Sequence, residues 1–369
     1  MKRFLKAITR LTPIWFFNFL VTTSRKKKVA CGNSFELEKF NPDVGSDCFA
    51  NNKLVEPEFD LLIIIPCYNA EKYIKQCVES IEKQSTSYKI CIRLINDGST
   101  DKTKELLEEF VYNKSSNFNY EIINKANSGA AATRNAGLKS INARYIMFMD
   151  SDDHLVGNDV FQFAISSADS IECNSKIIEF NHSNNIDKGK TSGKIKQCKY
   201  RDLSGFPWGK IYSSSIFEKV CFPEGYWFED TVDSFIIYPQ AKGVYKCSKT
   251  IYCYVDNQFG STSISKNNNK TIDTIYVTRR LVENRKQYPL DNNEEYGYRI
   301  ANQVICNCGR LSQLSDEIQV AVFVETQKLF KDNNFLRIKR FGKLYKAIEN
   351  NDFGTYFSFC KLYTKMYIS

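Results

Sequence analysis

Between Leu61 and Met149 the chain alternates short apolar runs with amphipathic stretches, and this alternation restricts its possible folds more than any other feature. Strands are expected at 61–65, 88–95, 119–123 and 144–149, and helices at about 70–84, 101–113 and 128–141. Tyr73, Ile74, Cys77, Val78 and Ile81 share one face of the first helix at three- and four-residue spacing. Such strand–helix repetition builds an α/β domain with a mostly parallel sheet covered by helices. Ligands of these sheets gather at the carboxyl ends of the strands.

A length of 369 residues suggests two to three units on a prior of ~150 residues each. Residues 1–56 read as a basic, aromatic N-terminal segment, 57–256 as the α/β domain, and 257–369 as a basic helical region. Helices in that last region are expected at 272–290, 295–314, 316–331 and 335–349. No Walker-type or GxGxxG phosphate loop occurs, which argues against kinase and dehydrogenase readings.

The net charge of +9 is unevenly spread. Residues 1–28 carry +8 and 328–369 carry +6, leaving −5 for the 299 residues between them. An acidic middle with basic ends fits an enzyme body with basic terminal surfaces, not a nucleic-acid reader throughout, so no nucleic-acid partner is expected. Thirteen cysteines without a CxxC pair, beside only two histidines, point to reduced, buried thiols in a cytoplasmic protein and away from structural zinc.

At the N-terminus the apolar run Leu11–Val21 is broken by Pro13 and Asn18, followed at once by Arg25–Lys28, and lacks a cleavage site. About eleven residues cannot cross a hydrocarbon core that needs ~20. Trp15, Phe16, Phe17 and Phe19 between basic flanks leave two readings. One is a peripheral segment at an anionic membrane surface, and the other is a helix packed on the body.

Candidate chemistry lies at the strand ends. IIIPCYNAEKYI (63–74) places Pro66, Tyr68 and Asn69 at the exit of the first strand, an aromatic face and an amide where a base can stack. NDGSTD (96–101) sets Asp97 at the tip of the second, with Gly98 for the turn. Tyr145–Met149 runs directly into Asp150-Ser151-Asp152-Asp153. In extended chain Asp150 and Asp152 face one side, ~6–7 Å apart at the backbone, a pair suited to Mg2+ or Mn2+ bridging to a diphosphate. A calcium loop is excluded because Leu155 stands where its glycine belongs and Phe161 where its last glutamate belongs. The plainer alternative is a set of acids capping the next helix.

The ordered set IIIPCYNAEKYI, NDGSTDKT, NSGAAATRNAGL (127–138), YIMFMDSDD, PWGKIY (207–212) and FPEGYWFEDT (222–231) resembles glycosyltransferase family 2, over roughly 61–260. The resemblance implies a GT-A fold, a Rossmann-like, mostly parallel sheet flanked by helices. Pro66, Tyr68, Asn69 and Asp97 would then line the nucleobase pocket. Asp150, with Ser151, would hold the ribose, and Asp152 would ligate the divalent ion. Arg134 would lie near the donor or brace the acidic cluster. Asp230 would be the general base, Glu229 its neighbour and second candidate, and Trp208 and Lys210 part of the wall facing acceptor and sugar.

It further implies an inverting, metal-dependent transfer of one sugar from a UDP-linked donor to a glycan or lipid-diphosphate-linked acceptor in capsule or O-antigen assembly. No QxxRW motif of the processive synthases is present. A sugar-nucleotide nucleotidyltransferase is the second enzyme reading, distinguished by releasing pyrophosphate. A non-catalytic membrane- or nucleic-acid-binding protein is the third.

Overall fold

The computed structural model describes residues 17, 20–21, 37–114, 116, 118–184, 192–257 and 267–368. Trp15, Phe16, Phe19 and Arg25–Lys28 lie outside these.

Nine strands form one sheet: β1 (Lys53–Cys67), β2 (Ile90–Asp97), β3 (Asn119–Lys125), β4 (Ser140–Phe148), β5 (His154–Leu155), β6 (Lys176–Ser183), β7 (Ile195–Gln197), β8 (Lys210–Ser213) and β9 (Gly243–Cys253). Their order is β3-β2-β1-β4-β8-β6-β9-β5, with β7 also paired to β9. The first four are mutually parallel, as the alternation predicts, with Leu62 opposite Cys91 and Ile146. Every residue of β2 is buried, the continuous apolar signature of a strand covered on both faces. Past β4 the sheet departs from the mostly parallel expectation, because β8 runs antiparallel to both β4 and β6. Helical crossovers join the first four strands, whereas in the second half parallel pairing survives between β6 and β9.

Those crossovers are α1 (Ile74–Glu82), α2 (Thr103–Tyr112) and α3 (Gly129–Leu138), with α4 (Val160–Asp169) following β5. α1 buries Ile74, Cys77, Val78 and Ile81, the stripe legible in the sequence. α3 sits so close to the sheet that a methyl group on Gly137 would come 2.6 Å from Ile64 Cγ2, which no side chain tolerates.

The chain divides into two compact units. The sheet unit takes residues 45–257 and also 283–290, whose Asn284 side chain accepts the Cys48 N–H and whose Tyr288 ring stacks on Phe49. The second unit holds α5 up to Val282 (the helix spans Asp273–Arg285), α6 (Glu294–Leu311), α7 (Asp316–Asp332), α8 (Gly342–Glu349) and α9 (Phe353–Tyr363). The helix expected at 335–349 is shorter, a 3-10 turn at Lys339–Phe341 leading into α8.

Residues 37–44 also belong to the second unit: Asn41 donates to Asp273 at 2.7 Å, and its carbonyl accepts the Tyr276 hydroxyl. The described part of 1–56 is thus shared between the two units and does not stand apart. Phe17 and Val21 are buried in the helical core, Phe17 edge-on to Phe359 and Tyr363. Of the two N-terminal readings, this pair fits the packed helix. No helix among the described residues is long and apolar enough to cross a membrane, and the twelve described cysteines are free thiols.

Candidate active site

Parallel register aligns the carboxyl ends of β1, β2 and β4 along one edge, and the loops leaving them are tied to one another. Asn69, in the left-handed conformation (φ 47°), accepts the Thr100 N–H at 2.9 Å while its own N–H donates to Ser99 Oγ. Ala70 N–H donates to Thr103 Oγ1, Glu71 N–H to Asp101, and Lys102 N–H back to Glu71. Gly98 turns at φ 67° against the Asn127 backbone, where an added Cβ would lie 2.6 Å from nitrogen. Tyr68 stands above this clasp 52% exposed, its ring available to a ligand.

Asp97 is buried, with oxygens directed at the start of α3. They accept the N–H groups of Ser128 (3.0 Å) and Gly129 (2.9 Å) and the Lys125 ammonium. A carboxylate offers about four acceptor sites, so one remains for a further donor. Both backbone donors belong to the N-terminus of α3, where the helix dipole is positive.

Next along the edge are Asp150, Asp152 and Asp153, each able to present one oxygen within 4.8 Å of the others. Burial, then the neighbouring Asp150, raises the pKa of Asp152, and the same two causes push Asp153 up to about 8. Asp153 is already engaged: it accepts the Tyr252 hydroxyl and the Val255 N–H, both at 2.7 Å. Tyr252 Oη also accepts the Asp150 N–H at 3.1 Å. Asp152 accepts from Asn257 at 2.9 Å, and Asn257 from the Tyr73 hydroxyl. Crowded hard oxygens that raise one another's pKa form a donor set that a divalent ion would relieve, with Asp150 and Asp152 the pair left to hold it.

The cation already present is Arg134, 6% exposed on α3. Nη2 donates to Asp150 at 3.2 Å and Nη1 to Glu229 at 2.5 Å. Burial alone would lower its pKa, but Asp150 and Glu229 outweigh that and hold it above its usual value. One guanidinium therefore joins the acids after β4 to a carboxylate some eighty residues later, beside half-buried Asp230.

Residues 62–162 match the profile of "Glycosyl transferase family 2". They form a family 2 glycosyltransferase domain. Glycosyltransferase GlyA of Streptococcus pneumoniae serotype 4 is 28% identical over 294 residues, 73% of this chain. The chain spans only 41% of GlyA's own length. S. aureus TarS 1–349, solved in complex with UDP-GlcNAc, superposes with a TM-score of 0.63 at 19% identity, covering 84% of this chain and 92% of that one. The mannosyltransferase PcManGT from Pyrobaculum calidifontis, solved with GDP-Man and Mn2+, gives 0.50 at 11% identity, over 98% and 96%. The fold is GT-A.

The residues singled out from sequence fall into two sets. Pro66, Tyr68, Asn69, Asp97, Arg134, Asp150, Ser151, Asp152, Glu229 and Asp230 lie at the carboxyl edge or beside its acids. Trp208 and Lys210 do not present the surface expected of a wall facing substrate. Trp208 is 5% exposed, covered by the near-parallel rings of Phe206, Tyr252 and Tyr254. Lys210 is fully buried, its ammonium on Glu179 (3.1 Å), Ser204 Oγ (2.7 Å) and the Phe206 carbonyl (2.5 Å). An ammonium so enclosed supports the 204–208 loop. Sequence reading missed Asp153, Tyr252 and Asn257, which link the last strand to the acids. The third consecutive acid was the only signal, and nothing in spacing names its partners.

Proposed function

We propose that the chain is an inverting, metal-dependent glycosyltransferase moving one sugar from a nucleotide-diphosphate donor, UDP-linked, to a glycan or lipid-diphosphate-linked acceptor of a bacterial surface polysaccharide, in the cytoplasm. The observation that carries this reading is the Arg134 bridge, which gathers Asp150 and Glu229 around one point at the ligand-binding edge of a GT-A sheet. GlyA's name and the ligands in the TarS and PcManGT complexes support a nucleotide-sugar donor and a divalent ion. The two relatives differ in nucleotide base, so UDP is this chain's own test.

Tyr68 stacks on the base and the spare acceptor site of Asp97 takes its imide N–H. Asp150 and Asp152 would hold Mg2+ or Mn2+, which would supply positive charge beside the leaving diphosphate. Glu229 is held in place by Arg134. Asp230, beside it, is the candidate to accept the proton of the attacking hydroxyl, a contribution of about 10²–10⁴ in rate.

A panel of UDP- and GDP-sugars incubated with Mn2+, Mg2+ or EDTA tests the reading through nucleotide release. UDP formation that stops in EDTA supports it, whereas pyrophosphate release identifies a nucleotidyltransferase. With an acceptor in hand, Asp230→Asn is expected to abolish transfer. Near-normal transfer by Asp230→Asn beside an inactive Glu229→Gln would exchange the two roles.

A further inference from the structure

Phe206 is a large aromatic side chain that remains 44% exposed although its loop is hydrogen-bonded at several points. Its carbonyl accepts from the Lys210 ammonium and the Tyr238 hydroxyl. Ser204, two residues earlier, donates its N–H to Glu179, gives its carbonyl to the same Tyr238 hydroxyl and its Oγ to Lys210. Pro207, next in sequence, gives its carbonyl to the Tyr212 hydroxyl. Trp208 bridges to Phe148 of β4, and Gly209 (φ 68°) returns the chain into β8. Burying a lysine costs stability unless it is fully paired, and here the pairing serves to fix this turn.

One face of the Phe206 ring lies on Trp208, centroids 4.8 Å apart and planes 5° from parallel. The exposed area is therefore its opposite face and edge. Trp208 in turn stacks on Tyr252 at 4.8 Å and 6°, and Tyr252 Oη bonds the Asp150 N–H and the Asp153 carboxylate. A rigid ring series thus runs from the acidic cluster out to solvent and ends in an open aromatic face.

We propose that this outer face of Phe206 is a binding subsite for a pyranose of the acceptor, the apolar C–H face of the sugar lying on the ring. The proposal rests on the transferase reading above. A flat, pre-fixed ring loses no rotamer freedom on binding, and its negative face attracts the polarised ring C–H groups of a sugar. Trp208, the residue singled out from sequence for this wall, acts as the backing of Phe206, and Lys210 as the positioning residue of its loop.

Saturation-transfer NMR with methyl β-D-glucopyranoside, methyl α-D-mannopyranoside and N,N′-diacetylchitobiose tests this on the full chain and on Phe206→Trp, Phe206→Leu and Phe206→Ala. Transfer to the ring C–H protons of at least one probe is expected in the unmodified protein and in Phe206→Trp. Binding about fivefold weaker is expected in Phe206→Leu and Phe206→Ala, since leucine keeps apolar area but no flat face. Equal binding by the leucine variant, or no transfer to any probe in the unmodified protein, overturns the subsite. Donor hydrolysis by the unmodified protein separates the two failures. Hydrolysis without pyranoside binding sinks the subsite alone, and pyranoside binding without turnover of any nucleotide sugar sinks the transferase reading and the acceptor role with it.

Discussion

The two halves of the carboxyl edge treat their carboxylates in opposite ways. On one side Asp97 receives two backbone N–H groups and an ammonium, and the loops around it are cross-braced by Asn69, Asp101 and Thr103. On the acidic side three aspartates crowd together, two with pKa values raised by burial and by Asp150, and Arg134 shares its charge with Glu229. The first arrangement is complete without a ligand, whereas the second is held under repulsion and gains from added positive charge. Removing charge should therefore destabilise the first side and relax the second.

The largest effect is expected where the acidic side loses its cation. Arg134→Met leaves Glu229 and Asp150 facing each other near a buried position, at a cost of about 3 kcal/mol in urea unfolding without metal. Added Mn2+ should recover more stability in the variant than in the unmodified protein, because the cluster has become more negative. Equal Mn2+ stabilisation of both proteins would show that Arg134 does not stand in for metal charge.

Asp97→Asn probes the other side at somewhat smaller cost. The amide cannot accept all three donors and turns an N–H2 toward them, so a loss of about 1–3 kcal/mol is expected, insensitive to Mn2+. UDP affinity, read by calorimetry, should fall with it. Unchanged stability would mean that the helix start does not depend on this carboxylate.

The contrast also separates what the sequence discloses from what it does not. The parallel half, with α1 and the strand-end acids, was legible because burial imposes periodicity and catalytic loops sit at strand ends. Arg134 as a brace was legible from its string ATRNAG in the family pattern. The mixed half was not, since β5, β7 and β8 are two to four residues long and carry too few positions for a period. The resemblance to family 2 places Trp208 and Lys210 at the wall facing acceptor and sugar. Which of them reaches solvent depends on how Phe206 and Tyr252 cover the indole and on the Glu179 partner from β6, contacts between segments that sequence proximity does not reveal.

Asp152→Asn should move stability the opposite way from Asp97→Asn. Relief of repulsion against Asp150 raises the metal-free unfolding midpoint, by less than about 1 kcal/mol. Mn2+ affinity falls at least tenfold, about 1.4 kcal/mol. A lower metal-free midpoint would place Asp152 with the satisfied acids and erase the distinction drawn between the two sides.

The smallest effect sharpens the rule by pH. Asp233 is fully buried with no hydrogen-bond partner for either oxygen, and desolvation raises its pKa well above the ordinary 3.8, outweighing nearby Lys210 and Arg134, with Asp230 and Glu229 adding to the rise. A carboxyl whose folded pKa exceeds its unfolded one favours the fold fully below the unfolded value. It surrenders that advantage as the pH rises toward the folded value, at up to about 1.4 kcal/mol per unit. Asp233→Asn cannot ionise, so its stability relative to the unmodified protein should climb from pH 4 to pH 8 in thermal unfolding. A difference that stays flat across that range would mean that the Asp233 carboxyl is ionised throughout and has found a partner, and that burial among charges does not by itself set it apart from the acids at the edge.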